Sequence, residues 1–350
     1  MKTTRKSNEE NERIKRSYFI YLREARGYAE TSVGKVADAL LRFENALEFK
    51  PFKVVTIDDA RRFKDILDKT KAVKTDKLLS ASLRVNVLTS VRAFIHWLAD
   101  RPGYKSHISH SDAEYFGPSL KDARVAHARR PIPSPTGEQA LHAFRQMPDL
   151  TVTDRRNKAL FALMMLTGAR IAAAASLTLG HVDLVEGCVF QDGRDVDTKF
   201  SKTFTTWFLP VDPSFWEVLS AWINELREVL LFGNTDPLFP RPEMRVSPTL
   251  GFQCIGLSRK PYTGDDSLRK FIKAAFTAAG QPAYTPHRFR NTLVKMASKF
   301  CNTPEEIKAI SMNLGHENVS TTIDDYGRIS PERQGEIIKK MRKKKDEGEA

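Results

Sequence analysis

Five short segments of the chain contain side chains that are suited to phosphoryl transfer. Guanidinium and ammonium groups bind phosphate oxygens, an imidazole moves protons near neutral pH, and a Tyr hydroxyl can act as a nucleophile. In chain order, these side chains are Arg170, Lys202, His287, Arg290, His316 and Tyr326. Each residue type is common on protein surfaces, so the prediction of such a site depends on their order and on the elements that carry them.

Two of these segments have a local pattern that places side chains at a helix end. His287 and Arg290 are three residues apart, so in a helix they share a face and can converge on one ligand. Pro286 is favoured in a first helical turn, where backbone N–H groups attract anions. Gly315, which directly precedes His316, is predicted to end a helix. We therefore expect these helix ends to form part of an anion site.

Residues 137–330 have the hydrophobic periodicity of a mostly helical domain with a small β-sheet inserted after its third helix. The predicted helices are 138–147, 152–167, 171–177, 213–230, 266–279, 287–300, 304–313 and 320–326. The predicted strands are 188–190, 195–198 and 203–209. This arrangement puts Arg170 at a turn before a helix and Lys202 at a turn between two strands.

Residues 1–105 have the pattern of a small domain with four helices. Apolar residues recur at helical spacing over 10–28, 33–43, 57–67 and 80–99. Thr31 and Thr56 are predicted to be N-caps, and Asp58 and Asp59 would lie in a first turn, where acidic side chains favour the helix dipole. The sequence therefore predicts an all-helical N-terminal domain.

The helical periodicity of apolar residues is interrupted between the two predicted domains and again after the second domain. Residues 106–136 contain several Pro, Gly and basic residues, which predicts a linker. Its basic part, 121–130, could follow a phosphate backbone. Residues 331–350 form a tail that contains a cluster of Lys and Arg at 339–345. The predicted organisation is thus a domain over 1–105, a linker over 106–136, a domain over 137–330 and a C-terminal tail.

The charge of the chain favours a polyanionic partner. Lys and Arg number 56 against 43 Asp and Glu, a net charge of +13, and residues 1–130 hold 27 basic against 17 acidic residues. The three cysteines cannot form a disulfide framework, which favours a reducing interior. We expect neither a transmembrane helix nor a secretory signal, because apolar runs of about 18 residues and an apolar N-terminal segment are both missing.

The order of the candidate residues resembles the tyrosine recombinase (phage integrase) family. Residues 163–184, from LMMLTGARI to SLTLGHVDL, resemble the first arginine box of that family. Residues 285–326, from TPHRFR through LGHENVSTT to the Tyr, resemble its second box and are the most specific part. Residues 10–105 resemble its helical core-binding domain more loosely. The resemblance implies a four-helix, SAM-like core DNA-binding domain followed by an α+β catalytic domain.

The resemblance also implies a role for each site residue. Tyr326 would attack a DNA phosphodiester, which leaves a 3′-phosphotyrosyl link and a free 5′-OH. Arg170 and Arg290 would hold the non-bridging oxygens. His287 would act as the general base on Tyr326, and His316 would donate a hydrogen bond to the phosphate. No metal ion or cofactor is expected, since cationic side chains supply the positive charge.

The acid that protonates the 5′-oxygen would be a lysine of the β-hairpin. Lys199 and Lys202 both lie in this segment, so the sequence leaves two candidates. We prefer Lys202 because Ser201-Lys202-Thr203, followed by a strand, is more similar to the hairpin of the family.

The chain departs from the family pattern at two further places. An Ala-rich stretch, 171–175, follows Arg170 where the family often has an acidic residue. Tyr326 follows His316 by ten residues, whereas nine is the commoner spacing. The first departure predicts that Arg170 is oriented by something other than a neighbouring carboxylate.

The function implied by the resemblance is site-specific DNA recombination by the integrase of a phage or another mobile element. The implied partners are double-stranded DNA, further copies of the chain in a tetramer, and accessory DNA-bending or directionality proteins. A bacterial cytoplasmic, nucleoid-associated location without a membrane partner would follow. A DNA-relaxing enzyme similar to type IB topoisomerases and a DNA-binding protein with a decayed active site are the alternatives.

Overall fold

The computed structural model describes residues 7–72, 75–128, 133–247, 251–297, 301 and 303–316. The chain divides into two compact units, Met1–Arg130 and Pro131–Ala350, and each unit is described separately below. Helices predominate in both units, and the strands form two small sheets, which confirms the predicted fold class. Within the described ranges, none of the helices has the length and apolar character that are needed to span a bilayer.

The first unit is entirely helical apart from short turns. Its helices are α1 Glu9–Glu24, α2 Glu30–Ala46, α3 Ile57–Lys69, α4 Ala81–Ala99, α5 His110–Glu114 and α6 Leu120–His127. Buried aromatic rings form the centre of its core. Phe43 contacts Phe63 edge-to-face with ring centroids 5.0 Å apart, and Phe52 and Phe94 make an equivalent contact at 5.0 Å.

Side-chain caps explain where several of these helices begin. Thr56 accepts a hydrogen bond from the backbone N–H of Asp59, whose carboxylate accepts from the backbone N–H of Thr56 in return, so the predicted N-cap is confirmed. Thr31 is not an N-cap, because α2 begins one residue earlier with Ala29 as its cap. Glu30 is the acidic residue of that first turn.

Two short helices occupy the stretch that was expected to be a linker. Ser109 and Ser119 cap α5 and α6, and both helices pack against α4. Ile108 and Phe116 are buried in the core of the first unit, which favours this folded arrangement over an extended segment. Residues 106–128 therefore add to the first unit rather than form an irregular connection.

The second unit consists of helices around two antiparallel sheets. Its helices are α7 Gly137–Arg145, α8 Val152–Thr167, α9 Ile171–Ser176, α10 Pro213–Asn224, α11 Asp266–Ala278, α12 His287–Ala297 and α13 Pro304–Asn313. Its strands are β1 Val182–Asp183, β2 Cys188–Gln191, β3 Phe204–Trp207, β4 Pro242–Ser247 and β5 Gly251–Leu257. A π-helical turn, Glu225–Val229, continues α10.

Helix α8 forms the centre of the second unit. All residues from Ala159 to Thr167 are buried, and α7, α9, α10, α11 and α12 pack around them. A helix that is apolar on every side has to be covered on every side. Phe161 contacts Phe289 of α12 edge-to-face at 4.7 Å between ring centroids. The turn that follows α8, which carries Arg170, therefore leaves from the buried end of this helix.

The sheets differ from the sequence prediction in two respects. Strands β1, β2 and β3 form one antiparallel sheet, in which Val189 pairs with Thr206. The predicted strand 195–198 is wrong, since the backbone N–H groups of Asp195 and Val196 both donate to Asp192 O in a turn. The antiparallel hairpin β4–β5 was not predicted, although Met244 and Val246 alternate with Glu243, Arg245 and Ser247 along β4.

Candidate active site

Arg170 follows a tight turn at the end of α8. Gly168 there has a φ of 61°, and a Cβ atom at this position would lie 2.6 Å from Leu314 Cδ2, so only glycine fits without displacement. Thr167 Oγ1 donates to Leu163 O at 2.6 Å and accepts from Ala169 N at 3.1 Å, which holds the turn from inside. Arg170 is thereby placed as the N-cap residue of α9.

The guanidinium of Arg170 is half-buried, and its burial lowers its pKa. Within the described part of the chain, this guanidinium makes no hydrogen bond or ion pair. Burial of a cation is unfavourable unless the charge is compensated. An anionic ligand would therefore be stabilised beside Arg170, where the adjacent helix α9 offers Ala side chains instead of a carboxylate.

Arg290 lies on α12 and connects two chain segments that are distant in sequence. Only 3% of this residue is exposed. Its guanidinium donates to the carbonyl of Gly168 at 2.7 Å and also to the carbonyl of Leu314. The turn before Arg170 and the turn before His316 are thus held together by the side chain of a third candidate residue.

His316 follows the C-terminal end of α13. Gly315 has a φ of 63°, as predicted for a glycine that ends a helix, and the N–H of His316 donates to Ser311 O at 3.0 Å. Burial and the positive charges of Arg290 and Arg170 lower the pKa of His316 to about 4, with a further contribution from His287. The imidazole is therefore neutral near pH 7.

The two arginines face a common cleft between α8, α9, β3 and the end of α13. The cleft is lined by Thr167, Ala169, Arg170, Ala173, Gln191, Thr198, Phe204, Thr206, Arg290, Asn313 and Leu314. Because the charges of both arginines and of His287 reach His316, the structure brings four of the six predicted side chains near one another. In the described residues, no group of three or more His, Cys, Asp or Glu side chains is arranged to hold a metal ion.

The two candidate lysines differ in their surroundings. Lys202 is half-buried, and its carbonyl accepts a 2.7 Å hydrogen bond from Oγ1 of Thr198, which lines the cleft. Lys199 is exposed, and its ammonium lies 4.6 Å from the ring centroid of exposed Phe200. The turn between them is tight, since Phe200 and Ser201 both have positive φ angles of 63° and 50°. These positions favour Lys202 as the lysine beside the cleft.

His287 and Tyr326 complete the predicted set. His287 is the first residue of α12 and is exposed, whereas Arg290 on the same helix is buried, and the charge of His287 also contributes to the pKa of His316. Tyr326 lies outside the described residues, as do the predicted helix 320–326 and the tail 331–350.

Three polar residues of the cleft were not identified from the sequence. Gln191 Nε2 donates to Thr206 Oγ1 at 2.7 Å, and this hydroxyl donates to the backbone carbonyl of Asn313 at 3.1 Å. Gln191 and Thr206 are 3% and 1% exposed. Polar residues at inward-facing positions of β2 and β3 are the signal that could have indicated them, since buried polar groups require partners.

Comparisons with known proteins identify the family of this chain. The model of the phage integrase family matches residues 136–333. The tyrosine recombinase XerD of Neisseria meningitidis serogroup B (strain ATCC BAA-335 / MC58) is 27% identical over 193 residues. That match covers 55% of this chain and 57% of XerD, so the chain spans little more than half of the length of this relative.

Two solved structures share the fold. A lambda integrase(75-356) dimer bound to a COC′ core site has a TM-score of 0.62 at 12% identity, and covers 90% of this chain and 95% of that one. A lambda integrase tetramer bound to a Holliday junction has a TM-score of 0.59 at 13% identity, with coverage of 91% and 78%. Since the family model matches more than half of the sequence, this chain is a member of the phage integrase family.

Proposed function

We propose that the chain is a site-specific DNA recombinase that cleaves and rejoins DNA through a 3′-phosphotyrosyl intermediate. The observation that carries this proposal is the convergence of Arg170 and Arg290 on one cleft beside a neutral His316. A phosphodiester is an anion whose transition state gains negative charge on its non-bridging oxygens, and preorganised guanidinium groups stabilise that charge.

The two arginines would contribute differently to phosphate binding. The guanidinium of Arg170 makes no hydrogen bond or ion pair in the described residues, so it can offer its donors to the phosphate. Arg290 uses two of its N–H groups to hold the carbonyls of Gly168 and Leu314. Arg170 would therefore be mainly a ligand of the phosphate, whereas Arg290 would both bind the phosphate and maintain the shape of the site.

The proton transfers follow from the remaining residues. The Tyr326 oxygen would form a bond to phosphorus while the bond from phosphorus to the 5′-oxygen breaks. His287 would accept the phenolic proton, and Lys202 would give a proton to the 5′-oxygen. His316, neutral near pH 7, would donate one hydrogen bond to a phosphate oxygen. Attack of a 5′-OH on the phosphotyrosine reverses these steps and rejoins the strand.

The wider assignment is to a recombinase of a phage or another mobile element that acts in the bacterial cytoplasm, at the nucleoid. The similarity in fold to lambda integrase bound to DNA as a dimer and as a tetramer supports duplex DNA as substrate and a tetramer as the active assembly. Accessory DNA-bending or directionality proteins would select the direction of recombination. The tail 331–350 would dock on a neighbouring protomer.

The replacement Tyr326→Phe tests the proposed reaction. A nicked suicide substrate traps the covalent intermediate, because the released 5′ fragment diffuses away before it can rejoin. We expect the unmodified chain to form a protein–DNA adduct, and Tyr326→Phe to bind the same DNA without forming one. The readout is the shifted band on a denaturing gel.

Tyr284→Phe is the matched control, because it removes the hydroxyl of a different Tyr. The ring of Tyr284 packs edge-to-face on Phe276 of α11, with ring centroids 5.2 Å apart. This variant should form the adduct normally. An adduct that persists in Tyr326→Phe would refute the assignment of the nucleophile, and the absence of any adduct with the unmodified chain would refute the proposed reaction.

A further inference from the structure

The end of α13 is attached to the edge of strand β3 by one side chain. Asn313 Oδ1 accepts a hydrogen bond from the backbone N–H of Trp207 at 2.7 Å, and Asn313 Nδ2 donates to the carbonyl of Trp207 at 2.9 Å. The amide thus satisfies both backbone groups of Trp207 in the way that a neighbouring strand would. A hydrophobic side chain at this position could not form either bond.

Two more contacts connect the same strand to the same helix end. Thr206 Oγ1 donates to the carbonyl of Asn313 at 3.1 Å and is itself held by Gln191. The ring of Phe204 covers Gly315 so closely that a Cβ atom there would lie 2.7 Å from the ring. Strand β3 therefore contacts the helix end along most of its length.

Both ends of this contact lead directly to candidate catalytic side chains. Lys202 lies two positions before Phe204, the first residue of β3, and His316 lies three positions after Asn313. The separation between the lysine and the imidazole is consequently set by how the end of α13 is placed on β3. A shift of this placement would move His316 relative to Lys202 and to the two arginines.

We infer that Asn313 is a positioning residue, which fixes His316 in the cleft by binding the backbone of Trp207. This inference rests on the proposed function for its catalytic consequence, but the placement of His316 can be measured without DNA. Asn313 acts through its neighbours and needs no contact with the substrate.

The replacement Asn313→Ala tests the inference with two measurements. The first is the rate of adduct formation on the suicide substrate at saturating DNA, which we expect to fall about 10- to 100-fold because small displacements of catalytic groups cost rates of this order. DNA affinity should not change. The second is the NMR titration of the His316 ring. It should remain neutral from about pH 7 to about pH 5 in the unmodified chain, but should titrate within this range in the variant.

Thr206→Val is a second variant, because it removes a different bond to the same helix end and nearly conserves the volume of the side chain. It should change both measurements in the same direction, and it provides the test if Asn313→Ala does not fold. Gln281→Ala is the control, since it deletes the hydrogen bond from Gln281 Nε2 to Gln139 O between α11 and α7. This control should leave both measurements unchanged.

The possible outcomes separate this inference from the proposed function. If the unmodified chain forms no adduct, the proposed function fails, and the NMR titration still decides whether Asn313 places His316. If the His316 titration and the cleavage rate of both variants match those of the unmodified chain, the inference is wrong. A reduced rate with an unchanged titration also overturns it, because the loss would then have another cause.

Discussion

At the scale of single residues, nearby cationic side chains influence the protonation state of the His316 imidazole in the candidate site. Arg170 and Arg290 raise the positive potential of the cleft, and together with burial they keep His316 in its neutral form. A bound phosphate would have the opposite effect on the pKa of His316, since its negative charge favours the imidazolium. We therefore expect the unmodified chain to take up a proton at His316 when DNA binds below about pH 6.

The lowered pKa of His316 also makes a prediction about stability. The unfolded chain binds a proton at His316 near pH 6.5, whereas the folded chain binds it near pH 4. Between these values the unfolded state holds more protons, so the free energy of unfolding decreases as the pH falls. For a partly buried group, we expect this loss to be on the order of 2 kcal/mol across the window.

The measurement compares urea unfolding of the unmodified chain and of His316→Gln at about pH 7 and about pH 5. Acidic residues titrate in both proteins, so the difference between their pH dependences reports on His316. The variant should lose less stability than the unmodified chain on acidification. Equal losses in the two proteins would show that His316 titrates alike in the folded and unfolded states.

Sequence patterns indicated which residue types form the site but not how each one is held. The spacing of His287 and Arg290 predicts a shared helix face, whereas a common site for Arg170, Arg290 and His316 was implied only by the resemblance to the family. In the structure, the charges of both arginines reach His316. The role of Asn313 could not be predicted, because its partner Trp207 is more than 100 residues away and contributes only backbone atoms. A side chain that binds only backbone atoms does not restrict the type of its partner residue, so the sequence contains no pair of residue types that would indicate the contact.

At the scale of elements, the sequence predicts helix ends correctly where side chains within the same few residues form the cap. The Thr56 cap and the boundaries of α8 and α13 were predicted because hydrogen bonds within a few residues determine them. The predicted strand 195–198 failed because Asp192 forms competing turn bonds with the residues that follow it. The hairpin β4–β5 was missed although Met244 and Val246 alternate with polar residues, and both of these apolar side chains are exposed in the structure.

Helices α1 and α2 are connected by a buried ion pair whose removal should destabilise the first unit. Burial lowers the pKa of Lys15, but its bonds to Glu12 and Glu44 outweigh this effect and raise the pKa overall. The side chain of Glu44 is fully buried, and its Oε1 atom has no hydrogen-bond partner among the residues that the structure describes. Lys15→Met would leave this carboxylate uncompensated, so we expect a loss of about 3 kcal/mol in the free energy of unfolding.

The test is urea unfolding of Lys15→Met and of the double variant Lys15→Met/Glu44→Leu. The double variant should recover much of the stability, because replacing both partners of a buried pair by apolar residues is often neutral. If the single variant is as stable as the unmodified chain, or if the double variant is as unstable as the single one, the pair does not stabilise the contact between α1 and α2.

At the scale of the whole molecule, charge and chemistry are divided between the two units. Residues 1–130 hold ten of the thirteen surplus positive charges, whereas the candidate catalytic residues belong to the nearly balanced remainder. Neutralisation of DNA phosphates makes binding strongly salt-dependent. Under the proposed function, most of the non-specific affinity for DNA would come from the first unit, and the reaction would take place in the second unit.

Deletion of residues 331–350 tests the proposed assembly. We expect the shortened chain to bind a single DNA site normally and to lose recombination between two sites, because the tail would join protomers and leave single-site binding intact. Gel shifts and a two-site recombination assay measure the two properties. A chain with the same tail residues in scrambled order is the matched control for the charge of the tail, and it should behave like the deletion. Unchanged recombination after the deletion would refute tail docking.

The bonds from Arg290 to the carbonyls of Gly168 and Leu314 have an evolutionary consequence. If the proposed function is correct, selection for catalysis and selection for folding act on Arg290 together, whereas the guanidinium of Arg170 has no comparable structural bonds in the described residues. In a lineage that stops cutting DNA but continues to bind it, substitutions should accumulate at Arg170 before they accumulate at Arg290. Retention of Arg290 in a descendant of this chain is thus poor evidence that the descendant is still an enzyme, and retention of Arg170 is good evidence.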